Sequence, residues 1–162
     1  GTGSGATAMW LADEGKKRGA YMKMEVHTFD VKSEEEIAIS HGLELHAWQS
    51  LLKKRGVAHH KADLRNAKKA LPLNLLKSLP HPWLVIEDSH VNTLEVVKRL
   101  FKHMEAGDNL VCEDIRFAEA KRRDWFAFLE ACGDRCALDL KYLDFFGVNQ
   151  CCMPDGWMKK LT

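Results

Sequence analysis

Two short apolar runs, each ending on a pair of acids, constrain the fold of this chain more than any other feature of its sequence. The first run ends on Glu87 and Asp88, and the second ends on Glu113 and Asp114. Apolar runs of this length between polar residues are typical of buried strands. Parallel strands of α/β sheets carry their ligands at the carboxyl ends. The pattern therefore predicts that Asp88, Glu113 and Asp114 lie together at one edge of a sheet.

Carboxylates that converge at one point suit a hard cation such as Mg²⁺. An imidazole, His90, follows the first acid pair after one serine. The alternative reading is that these acids are solvated turn residues or helix caps. One acid pair alone favours that alternative, whereas two pairs separated by one helix make a metal site an equally strong hypothesis.

A glycine-rich segment opens the chain and leads directly into a helix predicted over residues 5–18. Its residues are Gly1, Thr2, Gly3, Ser4 and Gly5. Glycine lets the backbone approach a ligand closely, and the first turn of a helix offers unpaired N–H groups. Nucleotide-type ligands are held in this way in Rossmann-like units. The alternative is a linker or a remnant of expression.

Two further strands are predicted to end on single acids. The strand over 23–30 ends on Asp30, and the strand over 57–63 ends on Asp63. An acid at the end of the strand that follows a glycine turn commonly binds ribose hydroxyls. Asp30 also precedes a capped helix start at residues 33–36, so a turn or capping role is equally compatible with the sequence.

The remaining pattern predicts alternating helices and strands. Helices are expected over 33–55 with an interruption at Gly42, and over 71–79, 92–105 and 117–132. An alternating strand over 136–146 and an antiparallel partner over 148–160, with a turn at 153–156, follow. We expect the aromatic residues at 125, 126 and 128 to lie in the core. Such alternation indicates an α/β fold: a Rossmann-like, mostly parallel sheet with helices on both faces and a C-terminal antiparallel hairpin, in one domain spanning 1–162.

Composition excludes several classes of function. The net charge of +1 gives no indication of nucleic acid or an anionic membrane as a partner. The five cysteines include no CxxC pair, which argues against zinc and against a secreted disulfide scaffold. No apolar run is long enough to span a bilayer. We therefore expect a cytoplasmic protein.

Taken together, these motifs resemble the class I S-adenosylmethionine-dependent methyltransferases, and most closely the cephalosporin hydroxylase and macrocin or rhamnosyl O-methyltransferase group. The resemblance covers nearly the whole chain. It is carried by the glycine turn, Phe29-Asp30, the Glu-Asp-Ser-His motif ending at His90, the Glu-Asp motif ending at Asp114, and Pro-Asp-Gly-Trp ending at Trp157. It implies that S-adenosylmethionine binds the glycine turn and the second-strand acid, and that Mg²⁺ binds strand-end acids. The implied residues are Gly1, Gly3, Gly5 and Asp30 for the cofactor, and Asp88, Glu113 and Asp114 for the metal.

The sequence departs from the family pattern in two places. The spacing between acid and histidine is shortened, so Glu87 competes with Asp88 as a metal ligand; we favour Asp88. The strand that normally precedes the glycine turn is absent, so the resemblance is to an N-terminally truncated member. Loss of that strand would expose two strand edges, which a homo-oligomer could cover.

The expected reaction is methyl transfer to a hydroxyl of a small molecule or sugar, assisted by Mg²⁺. His90 is the candidate general base, with a supporting or helix-capping role as the alternative. Two other functions stay open. One is a truncated binding or assembly module without turnover. The other is a nicotinamide-dependent oxidoreductase, which would use the glycine turn and Asp30 but would leave the paired acids unexplained.

Overall fold

The computed structural model describes residues 2–17, 24–138 and 149–154, which fall into two compact units. The N-terminal unit comprises Gly1–Asp63 and the C-terminal unit comprises Leu64–Thr162. Each unit contains its own hydrogen-bonded sheet. Within the described ranges, no helix combines the length and apolarity needed to span a membrane.

The N-terminal unit is a parallel pair of strands packed with three helices. Strand β1 pairs with β2 so that Val26 lies opposite Val57 and Asp30 lies opposite Lys61. Its elements in chain order are α1 (Ala6–Lys17), β1 (Val26–Asp30), α2 (Glu34–Ser40), α3 (Leu45–Arg55) and β2 (Val57–Lys61).

Local sequence signals explain where these helices begin and end. Ser33 and Glu36 form a reciprocal capping box at the start of α2, as the sequence predicted. Gly56 ends α3 in the left-handed conformation, with φ of 76°. The apolar faces of the helices then close over the strands, and the buried core consists of Ala8, Ala12, Ile37, Trp48, Leu52 and Val57.

The C-terminal unit is built on a four-stranded mixed sheet in the order β3-β4-β6-β5. Strands β3 and β4 are parallel, and β6 is antiparallel to both β4 and β5. Its elements are α4 (Ala67–Ala70), α5 (Leu73–Ser78), β3 (Leu84–Glu87), α6 (Thr93–Phe101), β4 (Asn109–Cys112), α7 (Glu119–Cys132), β5 (Cys136–Leu138) and β6 (Gln150–Pro154).

The expected Rossmann-like α/β class is confirmed, including the parallel strand pairs and the C-terminal antiparallel strands. Four details of the prediction are wrong. Strand β2 ends at Lys61, two residues before the predicted end at Asp63. Met153 and Pro154 continue β6 and are not part of a turn. Phe126 is 51% exposed and therefore not a core residue, whereas Trp125 and Phe128 are buried. The short helix α4 was not predicted. Residues 139–148 and 155–160 of the predicted hairpin lie outside the described ranges.

Candidate functional site

Three polar side chains meet where β3 and β4 end. Because these strands are parallel neighbours, the turns that follow them lie at the same edge of the sheet. The His90 Nε2 atom is 3.2 Å from Asp88 Oδ1 and 3.2 Å from Asp114 Oδ2. One ligand atom from each of the three residues falls within 4.8 Å of the others. We call Asp88, His90 and Asp114 the strand-end cluster.

The backbone of this cluster adopts a conformation that L-residues rarely occupy. His90 and Asp114 have φ of 55° and 56°, and Asn92 close by has φ of 51°. Non-glycine residues in the left-handed region cost roughly 1–3 kcal/mol each and tend to concentrate at functional sites. Hydrogen bonds to other segments of the unit hold these turns. Asn149 Oδ1 accepts from Asp114 N at 3.0 Å, and Asn92 Nδ2 donates to the carbonyl of Arg65 at 3.1 Å.

Glu113 lies within electrostatic reach of the cluster. Burial, followed by the negative charges of Asp88 and Asp114, raises the pKa of the Glu113 carboxyl above its ordinary value. Glu113 is not among the three residues whose ligand atoms lie within 4.8 Å of one another. The negative charges of Asp88 and Asp114 contribute to the raised pKa of Glu113, and a bound cation would offset them.

Glu87, the competing ligand candidate, has its carboxylate turned into the protein. Its Oε2 atom is 2.9 Å from Lys121 Nζ, and both side chains are about 1% exposed. The Ser89 backbone N–H donates to Oε1 at 2.9 Å, and the Ser89 hydroxyl donates to the same oxygen. Burial opposes ionisation of Glu87, but these hydrogen bonds and the charge of Lys121 outweigh it and lower the pKa of the carboxyl. Asp88, by contrast, points into the cluster, with its side chain 39% exposed.

The donor set of the strand-end cluster fits a divalent cation. Carboxylate oxygens are the ligands of Mg²⁺ and Mn²⁺, and an imidazole nitrogen is compatible with the transition metals. The side chains of His90 and Asp114 are 47% and 40% exposed, so an ion and a small ligand have access. Two carboxylates beside an imidazole therefore offer a suitable, partly solvated site.

In the N-terminal unit, the glycine turn has the conformation that its sequence requires. Gly3 and Gly5 have φ of 53° and 82°. A Cβ on Gly5 would lie 3.3 Å from Trp48 Nε1, whereas a Cβ on Gly3 would meet no atom within 4 Å. The Ser4 carbonyl accepts the Trp48 indole N–H at 2.7 Å. The turn is therefore packed on its Gly5 side and open at Gly3, while Gly1 lies outside the described residues.

Asp30 links the end of β1 to this turn. Its carboxylate accepts from Thr2 N at 2.8 Å and from Lys32 N at 2.9 Å. Partial burial opposes ionisation of Asp30, but the two N–H groups outweigh it and hold the pKa below its ordinary value. Asp63 lies two residues beyond β2 and is exposed. The fold therefore brings Asp30 to the glycine turn, whereas Asp63 lies beyond the end of its strand.

Sequence reasoning missed four residues that support these two regions: Thr2, Trp48, Lys121 and Asn149. Each acts through a contact with a residue distant along the chain. No local motif marks such contacts. A lysine known to be buried would have pointed to a buried acidic partner. The periodicity of the sequence does not show which lysine of a charged helix is buried.

Comparison with known proteins identifies the fold. No family model matches the chain, and no curated protein matches it. Among solved structures, CmcI in a form described as Mg-SAM is 23% identical with a TM-score of 0.65, covering 96% of this chain and 60% of that one. The apo structure of CmcI is 20% identical with a TM-score of 0.73, covering 95% and 61%. A candidate rRNA-methylase from Clostridium thermocellum is 11% identical with a TM-score of 0.60, covering 95% and 85%.

These similarities show that the chain has the Rossmann-like fold of CmcI. The resemblance expected from the motifs is thus confirmed at the level of the fold. The chain spans less than two thirds of the length of the CmcI structures that it matches.

Proposed function

We propose that the chain is an S-adenosylmethionine-dependent O-methyltransferase assisted by Mg²⁺ or a similar cation, with residues 1–162 acting as one methyltransferase-like domain. The observation that carries the proposal is the strand-end cluster, which lies at the ligand edge of a parallel strand pair in a fold shared with CmcI. The form of CmcI described as Mg-SAM supports the choice of cofactor and metal.

The proposed metal ligands are Asp88, Glu113 and Asp114. A cation bound there would polarise an acceptor hydroxyl and lower its pKa. The carboxylates of Asp88 and Asp114 flank the His90 imidazole on the same nitrogen, which fixes the orientation of the ring. We assign the His90 imidazole the role of accepting the hydroxyl proton.

The proposed cofactor residues lie in the N-terminal unit. A carboxylate has about four acceptor positions, so Asp30 can accept ribose hydroxyls in addition to its two N–H donors. Gly3 is open on the side where a Cβ would project, which allows the backbone close contact with a ligand. Gly1, Ser4, Gly5 and Asp63 complete the proposed set.

The proposed acceptor is a hydroxyl of a small molecule or sugar. The net charge of +1 provides no electrostatic attraction for a nucleic acid backbone. The exposed carboxylates of the strand-end cluster would also repel phosphates unless a cation is bound.

Calorimetric titration with S-adenosylmethionine and with its demethylated product S-adenosylhomocysteine tests the proposal. Each titration is run in EDTA and in Mg²⁺, and NAD is titrated as the comparison ligand. We expect both adenosyl ligands to bind and NAD to give no heat of binding. If neither adenosyl ligand binds, the methyltransferase proposal is refuted. Binding of NAD alone would favour an oxidoreductase.

A further inference from the structure

The buried ion pair between Glu87 and Lys121 lies directly behind the strand-end cluster. Lys121 is the third residue of α7, a helix whose neighbouring residues Arg122 and Arg123 are exposed. With backbone and side chain counted together, Lys121 is 2% exposed and Glu87 is 3% exposed. Lysine and glutamate are rarely buried to this extent without a specific partner.

Hydrogen bonds from two other segments, α7 and the end of β4, converge on Glu87. Lys121 Nζ donates to the Glu87 carbonyl at 3.0 Å as well as to the carboxylate. The same carbonyl accepts from Glu113 N at 3.0 Å, which joins the ends of β3 and β4. The Cys112 thiol donates to Glu87 Oε2 at 3.5 Å. Helix α7 and both strand ends are therefore fixed to one residue.

The residues tied by this network are the immediate neighbours of the cluster. Ser89 bonds to the Glu87 carboxylate and lies between Asp88 and His90. Glu113 bonds to the Glu87 carbonyl and precedes Asp114. Since His90 and Asp114 have positive φ, their turns need support from surrounding contacts to persist.

Stability alone does not account for such a pair. Buried ion pairs can often be replaced by uncharged residues of similar volume without loss of stability, because desolvation offsets the attraction between the charges. The alternative reason for retaining a buried ion pair is that it holds the surrounding residues in one particular geometry. Groups behind metal ligands commonly set ligand orientation and affinity.

We propose that Glu87 and Lys121 are positioning residues that hold the proposed ligands Asp88, Glu113 and Asp114, with His90 beside them, in the arrangement that binds a divalent cation. This inference rests on the cation site of the proposed function. Lys121 neutralises Glu87, so the negative charge available to an ion is that of the acids at the surface of the sheet edge.

The test compares Mn²⁺ affinity with fold stability in a charge-neutral double variant, Glu87→Gln with Lys121→Met. The control is Glu119→Gln with Arg122→Met, which changes the same charges at exposed positions of α7. Free Mn²⁺ is counted by electron paramagnetic resonance, and melting temperature is measured in EDTA. We expect the double variant to stay folded and its Mn²⁺ dissociation constant to rise about tenfold or more, with the control unchanged.

A purely structural role would lower the melting temperature but leave Mn²⁺ affinity unchanged, and that result would overturn the inference while sparing the proposed function. Failure of the unsubstituted chain to bind Mn²⁺ would overturn both. Ser89→Ala provides a second test that does not disturb the buried charges. It removes one hydrogen bond to Glu87, so we expect a smaller but measurable loss of Mn²⁺ affinity, and unchanged affinity counts against the inference.

Discussion

Alanine at Gly5 is expected to destabilise the N-terminal unit more than alanine at Gly3. Both glycines have positive φ, so each substitution carries a backbone cost of roughly 1–2 kcal/mol. At Gly5 the new Cβ would also lie 3.3 Å from Trp48 Nε1 and 3.4 Å from Leu52 Cδ2. Both neighbours are 3% exposed and have little room to move.

Displacement of the Trp48 ring would weaken its hydrogen bond to the Ser4 carbonyl, which contributes about 1 kcal/mol. We therefore expect Gly5→Ala to lower the free energy of unfolding by about 1–2 kcal/mol more than Gly3→Ala does. With a typical urea m value, this difference separates the two midpoints by about 0.5–1 M. Far-ultraviolet circular dichroism in urea measures both midpoints.

The same two variants distinguish an effect of packing on stability from an effect of ligand contact on affinity. Gly3→Ala places its Cβ in open space, so we expect it to keep most of its stability and to lose affinity for S-adenosylhomocysteine. Equal urea midpoints for the two variants would refute the packing argument. Full retention of ligand affinity in Gly3→Ala would refute the assignment of Gly3 to the cofactor site.

Three further predictions concern charge and packing. Glu113→Gln should raise the melting temperature in EDTA at neutral pH, because the native carboxyl has a raised pKa, and this gain should vanish below the ordinary pKa of 4.5. Glu36→Gln should lower stability near neutrality. The Ser33 N–H and Lys61 depress the pKa of Glu36 to about 2, so the difference should disappear as the pH falls from 4.5 towards that value. Phe128→Ala should cost about 3–5 kcal/mol, and Phe126→Ala only about 0.5, in chemical denaturation.

The strands that carry the cluster could be predicted because their signal is local. The apolar runs predicted strands that end on Glu87-Asp88 and on Glu113-Asp114, and in the structure β3 ends at Glu87 and β4 at Cys112. The side chains at 125 and 128 were correctly assigned to the core, but Phe126 was not, since residues adjacent on a helix point in directions about 100° apart. Aromatic content alone does not identify the buried face.

Long-range pairing explains what the sequence did not reveal. The position of β6 between β4 and β5 depends on long-range strand pairing, such as Leu110 opposite Cys152, which no local pattern encodes. From the sequence, Lys121 is one of several charged residues of α7, and its burial follows only from the position of Glu87. The choice between Glu87 and Asp88 as metal ligand likewise depends on where each side chain points, which only the structure shows.

A Mn²⁺ titration of the intact chain and of the double variant Asp88→Asn with Asp114→Asn tests the central claim most directly. The matched control is Glu95→Gln with Glu119→Gln, two exposed acids of the same unit. If the strand-end cluster is a cation site, the intact chain and the control bind a single Mn²⁺ ion, and the Asp88 and Asp114 variant loses that binding while remaining folded in EDTA. Equal Mn²⁺ binding by all three proteins, or binding by none, would contradict the account.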